Sequence, residues 1–310
     1  MKIAIIGRTE ILYETVHLLI DNGHQVSLII TSMEAIEYTK TANDFELLAS
    51  NISAKYLYTS KLDTENNIDF IKECGDIDIG VSMNFSSVIS QMVIDLFPMG
   101  ILNAHGGDLP RYRGNACQAW AIINGENKIG LCIHKMIGGE LDSGDIVEKE
   151  YLDIDINTKI TKCYKWMNQK IPYMFLSAIK KLQKNPHYIL KQQSKNPQDA
   201  LRCYPRIPED GQIDWIKSNI EILRLINASN KPYGGAYCFY QNKKIIIWDA
   251  EIFIDNEVYL SEAGQVSRIN QDGTIIVICG EGKIKINEIE YEQFIGIPNE
   301  KIKIYRKRLS

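Results

Sequence analysis

Two polar residues that could do chemistry follow a short apolar run in the first half of the chain. Residues 100–104 are typical of a buried strand, and Asn103 and His105 stand at its carboxyl end, before Gly106 and Gly107. Ligands of open α/β sheets bind beyond the carboxyl ends of the strands. There, an amide can donate hydrogen bonds and an imidazole can carry a proton at neutral pH. The pattern fits a reactive site, and it also fits a histidine with a purely structural role.

Two further segments carry polar residues at suggestive spacing. Residues 109–114 contain Tyr112 and Arg113, which could clamp an anionic or aromatic ligand or form a plain surface turn. Residues 141–146 contain Asp142 in a turn between two apolar runs, and such turns are common for local hydrogen-bonding reasons. Each segment alone leaves both interpretations open.

The elements that would position these residues alternate between strand and helix. Apolar runs separated by helical patterns indicate βαβ units, which predict an open, doubly wound, mostly parallel α/β sheet. The predicted strands are residues 2–6, 24–31, 55–58, 77–83 and 100–104.

The second part of the chain follows a different pattern. A helical spacing over residues 158–184 contains Pro172, which predicts a kink or a break. Residues 186–205 are polar and contain Asn-Pro steps, so we expect a linker. Short strands separated by turns then predict a small β-rich, barrel-like domain. The predicted domains are residues 1–200 and 206–310.

Composition excludes several classes of protein. The net charge is −4, which does not favour nucleic acid as the main partner. The seven cysteines form no CxxC pair, so we expect reduced, mostly buried thiols. The N-terminus lacks the apolar stretch of a signal peptide, and no run is long enough to span a bilayer. We therefore expect a cytoplasmic protein.

Taken together in order, the motifs resemble the folate-dependent formyltransferases. The resemblance covers essentially the whole chain and includes methionyl-tRNA formyltransferases and nucleotide-sugar N-formyltransferases. It implies 10-formyltetrahydrofolate as cosubstrate and no metal. The matching segments are Asn103-x-His105, residues 109–114, 134–136 and 141–145, and, towards the C-terminus, residues 203–206, 213–215 and 232–236.

The same resemblance implies roles for three residues. Asn103 would stabilise the oxyanion formed from the formyl carbonyl, and His105 would move the proton. Asp142 would come back beside His105, orient the imidazole and hold its charged form, or relay protons through a water. His134 is most simply a structural residue of its strand.

The folate ring is expected to lie against the backbone of residues 83–87 and 137–142. Gly106, Gly107 and Asp108 depart from the family pattern, and so does Cys117; these departures concern the acceptor rather than the reaction. The expected folate-binding residues are Met83, Phe85, Ser86, Ile137, Gly138, Gly139 and Asp142.

Two acceptors compete, an amino sugar linked to a nucleotide and a tRNA-linked methionine. In the tRNA enzymes the stretch after the second strand resembles a basic insertion. The matching residues 32–55 of this chain carry two basic and four acidic residues, Glu37 among them. Residues 206–310 carry 14 basic and 15 acidic residues. Basic residues do gather in residues 180–202 and in the tail, which includes Arg306 and Lys307. The balance favours a dTDP- or UDP-linked 3- or 4-amino-dideoxy sugar used for surface polysaccharides such as lipopolysaccharide O-antigen.

Such an acceptor needs groups for a diphosphate and a base. Arg8 follows the first strand, where an anion could meet a helix N-terminus, and Tyr233 could stack on a nucleobase. A plain surface role for Arg8 and packing between the predicted domains for Tyr233 are the simpler interpretations. The expected acceptor-binding residues are Arg8, Gly106, Tyr112, Arg113 and Tyr233.

Other functions stay open. The turn at Gly7 is not a GxGxxG fingerprint, which excludes a nicotinamide dehydrogenase. A formyltetrahydrofolate hydrolase would use the same three residues with water as acceptor. A non-catalytic relative would bind folate or nucleotide and would not need all three. The sequence is also compatible with a homodimer.

Overall fold

The computed structural model describes residues 1–35, 38–303 and 308–310 of the 310-residue chain. Two compact units divide it, and each unit is built from several segments. The first comprises Met1–Gly114, Gly130–Tyr151 and Lys165–Cys203, and the second Asn115–Ile129, Leu152–Tyr164 and Tyr204–Ser310. Segments 115–129 and 152–164 therefore group with the C-terminal part, and the simple boundary near residue 200 stays a prediction.

The described residues before residue 204 form nine strands and six α-helices. The strands are β1 (Lys2–Gly7), β2 (Gln25–Thr31), β3 (Lys55–Tyr58), β4 (Ile79–Met83), β5 (Ile101–His105), β6 (Tyr112–Gly114), β7 (Lys128–Lys135), β8 (Ile146–Asp153) and β9 (Leu201–Cys203). The helices are α1 (Glu10–Asp21), α2 (Ala42–Asn51), α3 (Glu65–Glu73), α4 (Gln91–Ile94), α5 (Cys117–Ile123) and α6 (Ile160–Lys184).

The main sheet confirms the predicted doubly wound architecture. Its seven strands have the order β3-β2-β1-β4-β5-β7-β8. The strands from β3 to β5 are parallel, and β7 joins β5 antiparallel. Both faces are buried, because Ile3 and Ile5 of β1 lie in one apolar cluster while Ala4 and Ile6 lie in another. Burial on both faces is what a parallel sheet requires.

Helix α6 shows how packing overrides a local signal. Pro172 lies inside it, yet the helix runs unbroken from Ile160 to Lys184. Ile171, Phe175 and Ile179 on either side of Pro172 are fully buried in the apolar core. Because tertiary packing of an apolar face supplies most of the stability of a helix in a protein, the break that Pro172 allowed does not occur.

The predicted linker folds back onto the first unit. Lys191 forms a bridge with Ile146, and β9 pairs in parallel with β6. The linker prediction is therefore wrong for residues 191–203. Composition suggested a free connection because the polar side chains of this segment bind backbone groups rather than an apolar core.

The second unit contains an antiparallel sheet and a helix, which confirms the predicted β-rich C-terminal part. The strands are β10 (Ala236–Tyr240), β11 (Lys243–Phe253), β12 (Val266–Ile269), β13 (Ile275–Ile278), β14 (Lys283–Tyr291) and β15 (Phe294–Gly296). The sheet order is β10-β11-β14-β13-β12, with β15 on β14, and helix α7 (Asn219–Ala228) shares its apolar cluster. All seven cysteines of the chain are free thiols, six of them buried.

None of the helices formed by the described residues combines the length and the apolar character that a bilayer crossing requires.

Candidate active site

The carboxyl end of β5 carries the first two candidate residues, and the register of the sheet adds a third. Asn103 and His105 project from the same face of β5, since side chains alternate along a strand. β7 runs antiparallel to β5 and places His134 directly opposite Asn103. Nδ2 of Asn103 lies 3.3 Å from Nε2 of His134. His134, expected to be only a structural residue of its strand, therefore touches the candidate site.

Asp142 reaches the two histidines from the loop between β7 and β8. Its Oδ2 lies 3.4 Å from Nδ1 of His105, and its Oδ1 lies 3.4 Å from Nε2 of His134. The backbone N–H of Gly114 donates to the same Oδ2 at 2.9 Å. Asp142 has a positive φ of 53°, a backbone conformation that aspartate tolerates better than most residues. The carboxylate is thus shared between two imidazoles and one backbone donor.

The other ring nitrogen of His105 is fixed by a backbone carbonyl. Nε2 lies 2.7 Å from the carbonyl oxygen of Tyr112, so Nε2–H must donate, because a carbonyl oxygen only accepts. In the neutral ring Nδ1 then carries no proton. Nδ1 can accept one, and the resulting N–H would face Asp142.

Gly107 makes this arrangement sterically possible. A Cβ at Gly107 would lie 2.4 Å from His105 Nε2 and 2.4 Å from the Tyr112 carbonyl oxygen. The sequence suggested that glycines here let a substrate approach the backbone. At Gly107, the group that approaches is the imidazole of His105.

Burial and neighbouring charges shift the pKa values of His105 and Asp142. Burial lowers the pKa of His105 from its ordinary value of 6.5, against the opposing effect of the Asp142 carboxylate. Burial alone would raise the pKa of Asp142, but His105, His134 and the Gly114 N–H outweigh it and hold that pKa below its ordinary 3.8. At neutral pH the site therefore holds a charged carboxylate beside a histidine able to take up a proton.

The amide of Asn103 is oriented by His134. Nδ1 of His134 lies 2.8 Å from the carbonyl oxygen of Lys135 and therefore donates to it. Nε2 faces both Nδ2 of Asn103 and Oδ1 of Asp142, so it accepts from the amide when the ring is neutral and donates to the carboxylate when the ring is protonated. Because a side-chain amide has two N–H donors, the second remains able to serve an oxygen in the site. The sequence pointed to His134 only through the matching segment 134–136, and period-two alternation on two adjacent strands could have placed its side chain on the face that carries Asn103.

One segment expected to hold folate, residues 137–142, contacts helix α4, which follows the other expected segment, residues 83–87. The N–H of Gly138 donates to Oε1 of Gln91 at 2.9 Å, and a Cβ at Gly138 would lie 2.1 Å from the Gln91 backbone nitrogen. Met83 is buried at the end of β4, Phe85 is half-buried and Ser86 is exposed. Ile137 is 38% exposed, and Gly139 has a φ of +76°. Folate binding by these residues stays a prediction.

The expected acceptor-binding residues are distributed over both units. Arg8 donates from Nε to the carbonyl oxygen of Asn84 at 2.8 Å and from Nη1 to that of Met33 at 2.6 Å. Gly106 and Tyr112 are buried, and Arg113 binds Gln193 and Ser194. Tyr233 belongs to the second unit, where its hydroxyl lies 2.9 Å from that of Tyr164.

Asp108, one of the departures from the family pattern, has a partner within the first unit. Its carboxylate forms an ion pair with Lys149, and Tyr151 donates its hydroxyl to the same oxygen at 3.1 Å. Lys149 also donates to the Leu109 carbonyl at 2.8 Å. This departure is therefore matched by nearby residues of β8.

Gln193 is a site residue that the sequence did not indicate. Its side chain is 5% exposed, and its Nε2 donates to the carbonyl oxygen of Asp142 at 3.0 Å. Nothing in a run of polar residues distinguishes Gln193 from exposed Gln192 beside it. Among the residues that the structure describes, no group of three or more His, Cys, Asp or Glu side chains could hold a metal ion.

Comparison with known proteins gives consistent matches along the chain. A family profile described as formyl transferase matches residues 1–179, and one described as the formyl transferase C-terminal domain matches residues 206–295. The methionyl-tRNA formyltransferase of Ruminiclostridium cellulolyticum is 29% identical over 298 residues, which cover 94% of this chain and 92% of that protein. The corresponding protein of Acetivibrio thermocellus is 26% identical over 296 residues, with the same coverage of 94% and 92%.

Solved structures of similar fold include an N-formyltransferase. The N-formyltransferase from Helicobacter canadensis, in complex with folinic acid and dTDP-3-aminofucose, aligns with a TM-score of 0.65 at 18% identity. The alignment covers 92% of this chain and 98% of that one. At this identity the likeness concerns the fold.

Proposed function

The chain belongs to the formyl transferase family, and on that premise we propose that it formylates the amine of a nucleotide-linked amino-dideoxy sugar. That it is a formyltransferase using a folate-derived donor follows from the family. The proposal adds the acceptor and the residues that act. The observation that carries the assignment of the reacting residues is the convergence of Asn103, His105 and Asp142 at one sheet edge.

Asn103, His105 and Asp142 would share the chemistry of one acyl transfer. The acceptor nitrogen attacks the formyl carbon, and the carbonyl oxygen takes up the electron pair as an oxyanion. The N–H of Asn103 not used by His134 would stabilise that charge, an effect worth on the order of 10²–10³ in rate for a single donor. The intermediate then collapses, the bond between the formyl carbon and N10 of the folate breaks, and the new amide remains.

Proton transfer would pass through His105. The attacking amine loses a proton to Nδ1, directly or through a water held by Asp142, and the imidazolium returns a proton to N10 as it leaves. The Asp142 carboxylate stabilises the imidazolium between these two events. Because the Tyr112 carbonyl fixes Nε2–H, one ring nitrogen performs both transfers.

The charge of the segment after β2 supports a sugar nucleotide over tRNA. Phosphate contacts dominate nucleic-acid affinity and need cationic surface. Residues 32–55 are net acidic, with Glu37 outside the described residues. Lys40, one of two basic residues there, lies 4.3 Å from the Tyr13 ring centroid and 3.8 Å from Asp44.

The basic stretch near residue 180 is partly neutralised within the protein. Lys181 forms an ion pair with Glu148 at 2.7 Å, and Lys180 donates to Oδ1 of Asn22 at 3.1 Å. Arg306 and Lys307 of the basic tail lie outside the described residues. These pairings weaken the argument that the basic stretch binds a polyanion.

Relatives of known structure give further support to the sugar acceptor. A sugar 3N-formyl transferase solved with dTDP and 5-N-formyl-THF has a similar fold. The relatives from Ruminiclostridium cellulolyticum and Acetivibrio thermocellus, at 29% and 26% identity, are methionyl-tRNA formyltransferases, which makes tRNA the second candidate acceptor. Within the first unit we assign Arg8, Gly106, Tyr112 and Arg113 to acceptor binding, and we place the product in a surface-polysaccharide pathway.

A turnover assay distinguishes the acceptors. The enzyme would be incubated with 10-formyltetrahydrofolate and, separately, dTDP-, UDP- and GDP-linked 3- and 4-amino sugars, methionyl-tRNA, or no acceptor. Mass spectrometry would detect the gain of one formyl group, and free formate would be measured in parallel.

Formylation of a nucleotide sugar alone is the expected result. Formylation of methionyl-tRNA alone would refute the sugar acceptor while leaving the reaction unchanged. Formate release that needs no acceptor would identify a hydrolase instead.

A further inference from the structure

Residues 191–203, which we call the return segment, run back along the elements that carry the candidate site. Lys191 bridges Ile146, and β9 at the other end pairs with β6 from Tyr112 to Gly114. Two backbone groups of β6 touch the reacting pair, since the Tyr112 carbonyl accepts from His105 and the Gly114 N–H donates to Asp142. The return segment therefore supports one side of the site through β6.

Gln193 in the return segment supports the other side directly. Its Nε2 donates to the carbonyl oxygens of Asp142 at 3.0 Å and of Gly144 at 2.6 Å. Its backbone N–H donates to Oδ1 of Asp145 at 3.2 Å. One buried residue thus binds three positions of the loop that carries the catalytic carboxylate.

The remaining polar atom of the Gln193 side chain faces Arg113. Oε1 accepts from Nη2 of Arg113 at 2.9 Å, and the same nitrogen donates to the Ser194 carbonyl at 3.1 Å. The charge of Arg113 lowers the pKa of His105, whereas the charge of Asp142 raises it. Gln193 therefore fixes the position of both the carboxylate and a nearby cation.

We propose that Gln193 is a positioning residue for formyl transfer, which holds the Asp142 loop so that its carboxylate faces His105. The proposal rests on the function proposed above. Asp142 adopts a positive φ, a conformation that an L residue leaves readily unless its surroundings hold it. The two N–H groups of Gln193 supply that restraint at the Asp142 carbonyl itself and two residues further along.

A glutamine suits this position for a specific reason. Its side chain combines two donors, which the loop carbonyls require, with one acceptor, which Arg113 requires. Glutamate would keep the acceptor and lose both donors. Methionine would fill a similar volume and lose all three hydrogen bonds.

These differences define the test. Gln193→Met and Gln193→Glu would be compared with Gln192→Met, a matched change at the exposed neighbouring residue. Steady-state kcat and the KM for 10-formyltetrahydrofolate would be measured for each folded variant. Both changes at Gln193 should lower kcat on the order of 10²-fold, as a misplaced reacting group does, with KM within about threefold of wild type.

The pair of variants separates the two contacts of Gln193. Retention of near-wild-type kcat in Gln193→Glu would show that the Arg113 contact is the important one and would overturn the proposal. Near-wild-type kcat in Gln193→Met would overturn the proposal as well. Gln192→Met should leave both parameters unchanged, and an equal loss there would also count against a specific role for Gln193.

An NMR titration tests the positioning without turnover. The chain has five histidines, so ¹⁵N-histidine labelling can follow His105 individually. Asp142, His134 and Arg113 are the charged or titratable groups that act on it, and of these Asp142 alone raises its pKa. In Gln193→Met the titration midpoint of His105 should fall, because the Asp142 carboxylate moves away from the imidazole. An unchanged or raised midpoint would contradict the proposal.

The two hypotheses fail in different ways. A wild-type enzyme that formylates none of the acceptors would refute the proposed function, while the titration would still report on the position of Asp142. Normal turnover of the wild type with an unaltered Gln193→Met variant would refute only the positioning role.

Discussion

The backbone N–H of Gly114 donates to Oδ2 of Asp142 at 2.9 Å, although the two residues are 28 positions apart. This oxygen is also the one that faces Nδ1 of His105. A backbone donor holds the carboxylate without a titratable side chain of its own, and a hydrogen bond to a charged group is stronger than a neutral one. The carboxylate therefore stays ionised and aimed at the imidazole.

Replacement of His105 should abolish useful turnover. His105→Asn removes the proton carrier, and positioned proton transfer contributes about 10²–10⁴ in rate. The kcat with 10-formyltetrahydrofolate and the identified acceptor should fall by that factor, while circular dichroism and thermal unfolding remain close to wild type. Near-normal kcat in a folded variant would refute the proposed role.

The pH dependence should reveal both His105 and Asp142. Burial holds the His105 pKa below 6.5, so the acid limb of kcat/KM in the wild type should have its midpoint below that value. Asp142→Asn removes the negative charge that raises this pKa, so the residual acid limb should move to still lower pH. The kcat of Asp142→Asn should fall on the order of 10²-fold or more. A limb that moves upward would show that Asp142 does not act on His105 in this way.

Gly107→Ala should impair catalysis more than stability. The new Cβ would meet His105 Nε2 and the Tyr112 carbonyl, both at 2.4 Å, so the imidazole must leave its position. A displacement of this kind can lower kcat on the order of 10²-fold. Gly234→Ala is the matched control, because its Cβ would meet nothing within 4 Å. Equal kcat in the two variants would contradict the steric argument.

Salt should distinguish the acceptor classes by affinity. Binding of a long polyanion through several phosphates weakens on the order of 10³–10⁵ between about 50 and 200 mM salt, whereas a diphosphate offers far fewer charges. The KM for the sugar nucleotide should therefore rise less than about tenfold over this range. A steep salt dependence would favour the tRNA alternative.

Local patterns were enough to predict the main fold. Alternation of apolar runs and helical spacing indicated the doubly wound sheet, and the buried run ending at Asn103 and His105 is β5. These features depend on periodicity within a few residues, which is visible along the chain. The break that Pro172 allowed does not occur, because the buried face of α6 outweighs the lost hydrogen bond.

The chemical types of the central residues were also readable from the sequence, since the motifs around Asn103, His105 and Asp142 resemble those of a known family. Their arrangement was not. His134 meets Asn103 only through the register of β5 and β7, and Gln193 meets the Asp142 carbonyl only because residues 191–203 fold back.

The sequence by itself thus determined the fold class, the family and the types of the residues proposed to carry the reaction. Tertiary structure alone decided which nitrogen of His105 faces the carboxylate, what holds that carboxylate and why Gly107 must lack a side chain. The physical reason is that these relations depend on hydrogen bonds and close contacts between distant segments. Such contacts leave no periodicity or composition signal at the residues that make them.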